Sequence, residues 1–153
     1  MRRGWRDRRT RAVVVFAFSC LFLLFVASSS TARRGHYHVG TGRAILAAAR
    51  SHIGEPYGQG YGWTCSELTA SAVAQGTGVR LPRDPGGQTV YGWQSKRMKQ
   101  GDLVYFAEGG YGITHVGIYA GHGQIVHASN YFMEVVESDM SYLYGFEGWR
   151  RIR

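Results

Sequence analysis

The body of the sequence lacks a dense basic stretch, although the formal net charge of the 153-residue chain is +8. Residues 1–11 carry six arginines and one aspartate, and residues 12–32 carry no charged side chain. Residues 33–153 hold 12 basic and 9 acidic residues, which leaves a net charge of only +3. Proteins that bind nucleic acid usually cluster lysine and arginine on one face. The charge distribution therefore argues against a nucleic-acid partner.

Internal repeats and low-complexity tracts are also missing from the sequence. The chain is too short for a large multidomain enzyme, and its hydrophobic content of 44% is too high for a disordered protein. A body of about 120 residues buries roughly two thirds of its unfolded surface, which is enough for one core. We therefore expect a single folded domain.

Residues 1–32 have the three parts of a secretory signal. The positive N-terminal segment is followed by a largely apolar run over residues 12–27, and Ser30 and Ala32 occupy the −3 and −1 positions of a cleavage site. We predict a signal peptide over residues 1–32, with an uncleaved membrane anchor as the alternative, and a polar linker over residues 33–41. The protein is accordingly expected to be secreted or otherwise extracytoplasmic.

Cysteine is scarce, and export makes the remaining one informative. The chain has two cysteines, and Cys20 lies within the predicted signal, so the mature chain keeps only Cys65. A single cysteine cannot form an internal disulfide, which leaves a free thiol, an intermolecular bridge or a nucleophile. A buried, inert cysteine is the alternative interpretation.

Two helices are expected in the first half of the body. The first runs from an N-cap at Thr41 to His52, with an apolar face on which His52 has a structural role. The second begins with the sequence Thr64-Cys65-Ser66-Glu67, a capping box in which threonine is the N-cap and glutamate lies three positions later. It ends near residues 76–78, where two glycines occur. The pattern places Cys65 as the first helical residue.

The second half of the body has the pattern of an antiparallel sheet. Apolar or alternating segments separated by glycine-rich turns predict strands in the following ranges: 103–106, 115–119, 124–128, 133–136 and 149–152. Helices followed by a meander of strands predict an α+β architecture, with the helices packed on one side of the sheet.

A thiol at a helix N-terminus is favoured as the thiolate by the unpaired N–H groups and the helix dipole, but it still needs a base. His115 and His127 lie on the two arms of one predicted hairpin. A three-residue loop over residues 121–123 would place His127 opposite Gly117 and diagonal to His115, on the same face. A two-residue loop would turn one histidine away, so a shared site requires an odd loop or a bulge.

Two other interpretations stay open on these residues alone. One is a core cysteine with two half-buried strand histidines. The other is a zinc site made from one cysteine and several histidines, which lacks the close ligand spacing of a structural site. His36 and His38 have no cysteine or acidic partner nearby, and we expect no metal there.

The ordered motifs resemble the NlpC/p60 family of bacterial cell-wall cysteine peptidases from about residue 42 to the C-terminus. The motifs that carry the resemblance are Pro56-Tyr57, Thr64-Cys65-Ser66, Leu81-Pro82-Arg83, Gln88, Gly101-Asp102-Leu103-Val104-Tyr105-Phe106, His115-Val116-Gly117-Ile118-Tyr119 and Ile125-Val126-His127-Ala128.

The resemblance implies a minimal papain-like fold over residues 42–153 and a peptidoglycan endopeptidase that acts on stem peptides, usually at the bond between γ-D-glutamate and a diamino acid. It implies Cys65 as nucleophile, His115 as general base and His127 as the polar residue that orients His115. Tyr57 would assist substrate or oxyanion binding. No metal or cofactor is implied, and we expect a monomer.

Three departures from the family pattern affect these expectations. Thr64 replaces an aspartate, Glu67 replaces a glycine, and the loop over residues 56–60 is altered and shortened. Glu67 would oppose thiolate formation unless its carboxylate is bonded to the backbone. The departures leave open an amidase or acyltransferase that uses the same cysteine and histidine, or an inactive wall-binding relative.

Other polar and aromatic residues in the motifs have structural interpretations. Asp102 is interpreted as a turn former at the start of a strand, and Arg83 as a surface residue. Tyr61, Trp63 and Trp93 are candidates either for lining the cleft or for packing in the core and loops.

Overall fold

The computed structural model describes residues 40–153, so the predictions for the signal or anchor, and for His36 and His38, lie outside the described residues. Two long helices and one short helix precede five strands. The elements are α1 (Thr41–Arg50), α2 (Cys65–Thr77), α3 (Pro85–Gln88), β1 (Leu103–Phe106), β2 (His115–Gly121), β3 (Gln124–Ser129), β4 (Glu134–Asp139), a 3-10 turn (Met140–Tyr142) and β5 (Phe146–Arg150). No helix within residues 40–153 is long and apolar enough to cross a membrane.

The start of α1 differs from the prediction by one residue. Gly40 is the N-cap and Thr41 is the first helical residue, so the helix includes residue 41, the last residue of the predicted linker. The helix ends at Arg50, two residues before His52. Its apolar face is buried as expected, with Ile45 and Ala49 fully inaccessible to solvent.

The start of α2 agrees with the prediction. Thr64 caps the helix, and both hydrogen bonds of the capping box with Glu67 are present. Gly78 ends the helix with a φ angle of 79°, a left-handed conformation that glycine adopts without a steric penalty. The short α3 was not predicted, because four residues are too few for a periodic pattern; Asp84 caps it and Pro85 is its first residue.

The sheet is antiparallel, with the strand order β4-β3-β2-β1-β5. Strands β1 to β4 form the predicted meander, but β5 returns to pair with β1 at the other side of the sheet. The expectation that all five strands form one continuous meander is therefore wrong. The last two strands are also longer or displaced relative to the predicted ranges.

The core lies mainly between the helices and one face of the sheet. Buried apolar residues of α1 and α2, such as Ile45 and Leu68, pack in one cluster with Tyr105, Ile118 and Val126 of the strands. A smaller cluster on Val104, Phe106 and Ile125 covers part of the opposite face. The predicted α+β class, with helices packed on one side of an antiparallel sheet, is confirmed.

Candidate active site

Cys65 lies at the N-terminus of α2 because the capping box fixes the start of that helix. The Glu67 N–H donates to the Thr64 hydroxyl at 3.3 Å, and the Glu67 carboxylate accepts from the Thr64 N–H at 3.2 Å and from its hydroxyl at 2.8 Å. The cysteine is the one free cysteine of the described residues and is 8% exposed. The capping box therefore places a buried thiol at the N-terminus of α2, where the first backbone N–H groups have no partner within the helix.

The surroundings of the Cys65 thiol have opposing electrostatic effects. Burial raises its pKa, and Glu108 acts in the same direction. The backbone N–H groups of Val116, Ser66 and Cys65 itself lower the pKa. The effect of Val116 places the thiol next to β2, beside the residue that follows His115.

His115 and His127 lie together, as a shared site requires. The His115 Nε2 and His127 Nδ1 atoms are 2.9 Å apart, and the two rings are nearly perpendicular at 89°. Both side chains are buried, and burial lowers the pKa of His115 to about 4 and that of His127 to about 3. Both imidazoles are therefore neutral at pH 7. Since His115 Nε2 is engaged with His127, its Nδ1 is the nitrogen that remains for another partner.

A bulge in the β2–β3 hairpin produces this arrangement. Ile118 pairs with Val126, in the register expected for a three-residue loop, whereas Gly121 pairs with Gln124 across a two-residue turn. The register shifts between Tyr119 and Gly121, which is the bulge that the prediction named as one of two solutions. The irregularity keeps the two histidines on one face.

Gly117 provides the space for this contact. A Cβ atom at that position would lie 3.3 Å from the His127 Cβ and 3.1 Å from the Ile125 side chain. Both distances are tighter than ordinary packing contacts, so a side chain at this position would require Ile125 or His127 to shift.

Tyr57 lies in the loop before α2, close enough to Cys65 for their charges to interact. Burial raises the pKa of the Tyr57 hydroxyl, and the neighbouring Cys65 acts in the same direction. The loop is held in place by backbone hydrogen bonds from Tyr57 to Met133 and from Trp63 to Pro56, both 2.9 Å long.

The carboxylate that influences the thiol is Glu108 rather than Glu67. Glu67 accepts a hydrogen bond from the Thr64 backbone N–H and contacts the Arg83 guanidinium at 3.3 Å, so its carboxylate is bonded to the backbone as a thiolate at Cys65 requires. Glu108, in the β1–β2 loop, raises the pKa of the Cys65 thiol. Sequence reasoning missed Glu108 because it is 43 positions from Cys65 and belongs to none of the motifs.

Gln88 is a buried polar residue that anchors the first turn of α2. Its amide donates to the Ser66 and Pro82 carbonyl oxygens at 2.9 Å and 2.8 Å, and it accepts from the Thr69 hydroxyl at 2.8 Å. Tyr105 of β1 donates to the Gln88 carbonyl oxygen. Gln88 is one of the motif residues, and these hydrogen bonds show that it holds the first turn of α2 in place.

Of the three aromatic candidates, two lie beside the start of α2. Tyr61 and Trp63 line an open groove of about 940 Å³ together with Glu67 and Arg83. Trp93 instead pairs with Arg151 at the far side of the sheet, where the Arg153 guanidinium lies 4.7 Å from its ring centre.

Asp102 has a structural role beyond the predicted turn. Its carboxylate accepts the Lys99 N–H, which closes the turn, and makes two 2.8 Å bonds to the Arg151 guanidinium. Arg83 is exposed, as expected. The described residues contain no group of three or more histidine, cysteine or acidic side chains arranged to hold a metal ion.

Comparisons with known proteins show which family this chain is similar to. The NlpC/P60 family model matches residues 54–148. A probable endopeptidase of Corynebacterium glutamicum is 39% identical over 109 residues, which are 67% of this chain and 50% of the relative. A γ-D-glutamyl-L-lysine dipeptidyl-peptidase of Bacillus subtilis is 36% identical over 97 residues, which are 58% of this chain and 32% of that protein. The chain thus spans half or less of the length of these relatives.

A solved structure gives the same result for the fold. The peptidoglycan hydrolase RipB of Mycobacterium tuberculosis is similar with a TM-score of 0.63 and 30% identity, over 73% of this chain and 64% of the RipB chain. The family model covers more than half of the chain, and its matched region includes the capped helix and the histidine hairpin. The chain therefore belongs to the NlpC/P60 family.

Proposed function

We propose that this protein is an exported cysteine endopeptidase that hydrolyses peptidoglycan stem peptides at the bond between γ-D-glutamate and a diamino acid. Cys65 is the nucleophile, His115 the general base and His127 the residue that orients His115. The observation that carries the proposal is the 2.9 Å contact between His115 Nε2 and His127 Nδ1, together with the hydrogen bond of the Cys65 thiol to the backbone of Val116, the residue after His115.

The first step is attack by the thiol. Because the pKa of His115 is lowered and that of Cys65 is raised, the resting pair at neutral pH is a thiol and a neutral imidazole. His115 takes the Cys65 proton as the sulfur bonds to the amide carbonyl carbon. The imidazolium that forms donates its Nε2 proton in a hydrogen bond to His127 Nδ1.

The second step breaks the amide. The tetrahedral oxyanion is stabilised by the Cys65 backbone N–H and the Tyr57 hydroxyl, since donors placed where charge develops lower the barrier. As the intermediate collapses, the C–N bond breaks and His115 gives its proton to the leaving amine. Water, with His115 again as base, then hydrolyses the thioester, which releases the new carboxylate and restores the thiol.

Family membership supports the substrate class. The B. subtilis relative is named for the γ-D-glutamyl-L-lysine bond, and RipB is described as a peptidoglycan hydrolase. Export is supported by the signal-like composition of residues 1–32 and by a substrate that lies outside the cytoplasm.

The test uses the purified full chain in mild detergent under reducing conditions, with muropeptides of defined stem-peptide sequence. Mass spectrometry locates the cut, and Cys65→Ala is the matched control. We expect a cut between D-glutamate and the diamino acid, with at least a 1000-fold loss of rate in Cys65→Ala, as is typical when a nucleophile is removed. A Cys65-dependent cut elsewhere would make the protein an amidase or peptidase of different specificity. A cut that persists in Cys65→Ala would overturn the proposal.

A further inference from the structure

A row of three polar side chains crosses neighbouring strands on one face of the sheet. His115 in β2 contacts His127 in β3, and His127 Nε2 lies 2.9 Å from the Ser138 hydroxyl in β4. Ser138 pairs with Ile125 in the β3–β4 ladder, which places it diagonal to His127. The proposed function uses the first two members of the row and gives no role to the third.

The direction of the protons along this row decides whether His115 can act as a base. His115 accepts the Cys65 proton at Nδ1 only when its own resting proton is on Nε2, pointing at His127. His127 must then present a lone pair at Nδ1, so its single proton must be on Nε2, pointing at Ser138. If His127 were the other tautomer, its Nδ1–H would point at His115 Nε2 and hold the His115 proton on Nδ1, where the thiol proton has to go.

We propose that Ser138 is a positioning residue whose hydroxyl oxygen accepts the His127 Nε2 proton and thereby keeps the Nδ1 lone pair of His127 directed at His115. This inference rests on the proposed function for its effect on catalysis. The hydroxyl proton of Ser138 is free to bond water, because Ser138 is only partly buried and lines an open cavity of about 580 Å³.

The role matters most for the charged form of His115. When His115 is an imidazolium, its Nε2–H needs an acceptor, and His127 provides one only as the Nε2–H tautomer. Without Ser138 that N–H would lose its acceptor inside the protein, which penalises the imidazolium more than the neutral pair. The titratable groups that act on the Cys65 thiol or beside it are Tyr57 from the preceding loop and Glu108 from the β1–β2 loop. The cavity beside Ser138 is also lined by the carboxylates Glu134, Glu137 and Asp139 of β4. None of them contacts Ser138 through a described hydrogen bond.

The experiment compares three substitutions in the full chain. Ser138→Ala removes the acceptor, Ser138→Thr keeps the hydroxyl, and Ser138→Asp supplies a carboxylate that only accepts. Ser141→Ala, in the turn after β4, is the matched control. We measure kcat/KM against pH on the muropeptide, the rate of Cys65 alkylation by iodoacetamide, and the protonation of each His127 ring nitrogen by ¹⁵N NMR.

We expect Ser138→Ala to lower the plateau kcat/KM and the alkylation rate about tenfold, the typical effect of leaving one buried donor unsatisfied. The acidic limb of the profile moves to lower pH, because the imidazolium is less stable. Ser138→Thr restores both quantities to within about threefold, and Ser138→Asp moves the acidic limb to higher pH, since a nearby carboxylate favours the imidazolium. The NMR spectrum shows the His127 proton on Nε2 in the natural protein and a mixture of tautomers in Ser138→Ala.

The proposal is overturned if the acidic limb and the His127 tautomer are the same in Ser138→Ala as in the natural protein, or if Ser141→Ala has the same effect. Its failure can be told apart from failure of the proposed function, because the NMR and alkylation measurements need no substrate. A tautomer change without any muropeptide cleavage would retain the role of Ser138 in positioning His127 and reject the proposed substrate.

Discussion

The sheet carries two polar clusters that differ in charge. At one, His115, His127 and Ser138 are linked by two hydrogen bonds of 2.9 Å, and both imidazoles are neutral at pH 7 because burial lowers their pKa values. At the other, Asp102 and Arg151 form an ion pair with two bonds of 2.8 Å, and the aspartate also accepts a backbone N–H. The hydrogen bonds of the charged cluster are satisfied, and the ion pair joins the residue before β1 to the residue after β5. The neutral cluster can still accept a proton, which is what a general base requires.

The largest expected effect is the dependence of the free energy of unfolding on pH, which the histidine cluster causes and the ion pair does not. The unfolded histidines bind protons near pH 6.5, whereas folded His115 resists protonation down to about pH 4. The unfolded state therefore binds more protons in this window, so the free energy of unfolding falls as pH decreases from about 6.5 to 4, by about 3 kcal/mol per buried histidine. Urea titrations at several pH values across this range measure the free energy of unfolding.

The control for the pH experiment is the double variant His115→Gln, His127→Gln. It keeps the carboxylates that also titrate in acid but removes both imidazoles. The difference in unfolding free energy between the natural protein and the variant should decline steadily below pH 6.5. A difference that does not vary with pH would mean that the histidines are solvated.

The second effect concerns the charged cluster. Asp102→Ala leaves the Arg151 guanidinium, whose side chain is 19% exposed, without its partner, and should reduce the free energy of unfolding by about 3 kcal/mol. The rate kcat/KM of the folded protein should stay within about twofold of the natural value, because Asp102 is engaged away from Cys65. The comparison variant is Glu137→Ala, which breaks the more exposed pair with Arg50 and should reduce stability by less than about 1 kcal/mol. Equal losses of unfolding free energy in Asp102→Ala and Glu137→Ala would show that the less exposed ion pair contributes no more than the exposed one.

The third effect concerns the activity of the folded protein. His127→Ala removes the acceptor of the His115 Nε2 proton and should lower kcat/KM about 100-fold, the lower end of the effect of a group that assists general-base catalysis. His127→Asn places an amide oxygen near the position of the Nδ1 atom and should recover most of the rate. If alanine and asparagine are equally impaired, hydrogen bonding to His115 is not what His127 contributes.

The smallest effect tests the helix that carries Cys65. Thr64→Ala removes the N-cap and should reduce the free energy of unfolding by about 1 kcal/mol, whereas Thr64→Ser keeps the hydroxyl and should change it by less than half of that. Thermal or urea unfolding measures both. Because Gln88 also holds the first turn of α2, we expect the cysteine to remain at the helix start in each variant.

The parts of the molecule that were predicted from sequence depend on short-range interactions. Thr64 and Glu67 are three positions apart, so the capping box and the position of Cys65 could be predicted from residues that are close together in the sequence. Strand β1 was predicted with its observed bounds because its apolar run is followed by a glycine-rich turn. The need for an odd loop or a bulge between the two histidines followed from the period of two in a strand.

The parts that were missed depend on contacts between distant segments. The pairing of β5 with β1 joins residues that are 40 to 47 positions apart, and the sequence pattern of neither strand indicates which strand it pairs with. Glu108 and Ser138 are single polar residues outside the motifs. Glu108 comes near the site through the β1–β2 loop, and Ser138 through the pairing of β3 with β4.

The sequence by itself determined the α+β class, the capped helix that begins with Cys65, and the requirement that His115 and His127 share a strand face, since each follows from local periodicity or capping chemistry. Only the tertiary structure decided that a bulge after Tyr119 meets this requirement and that His127 contacts Ser138. It also decided that both imidazoles are neutral. The physical reason is that burial and cross-strand register are set by how all five strands and the two long helices pack together, and no short segment encodes that packing.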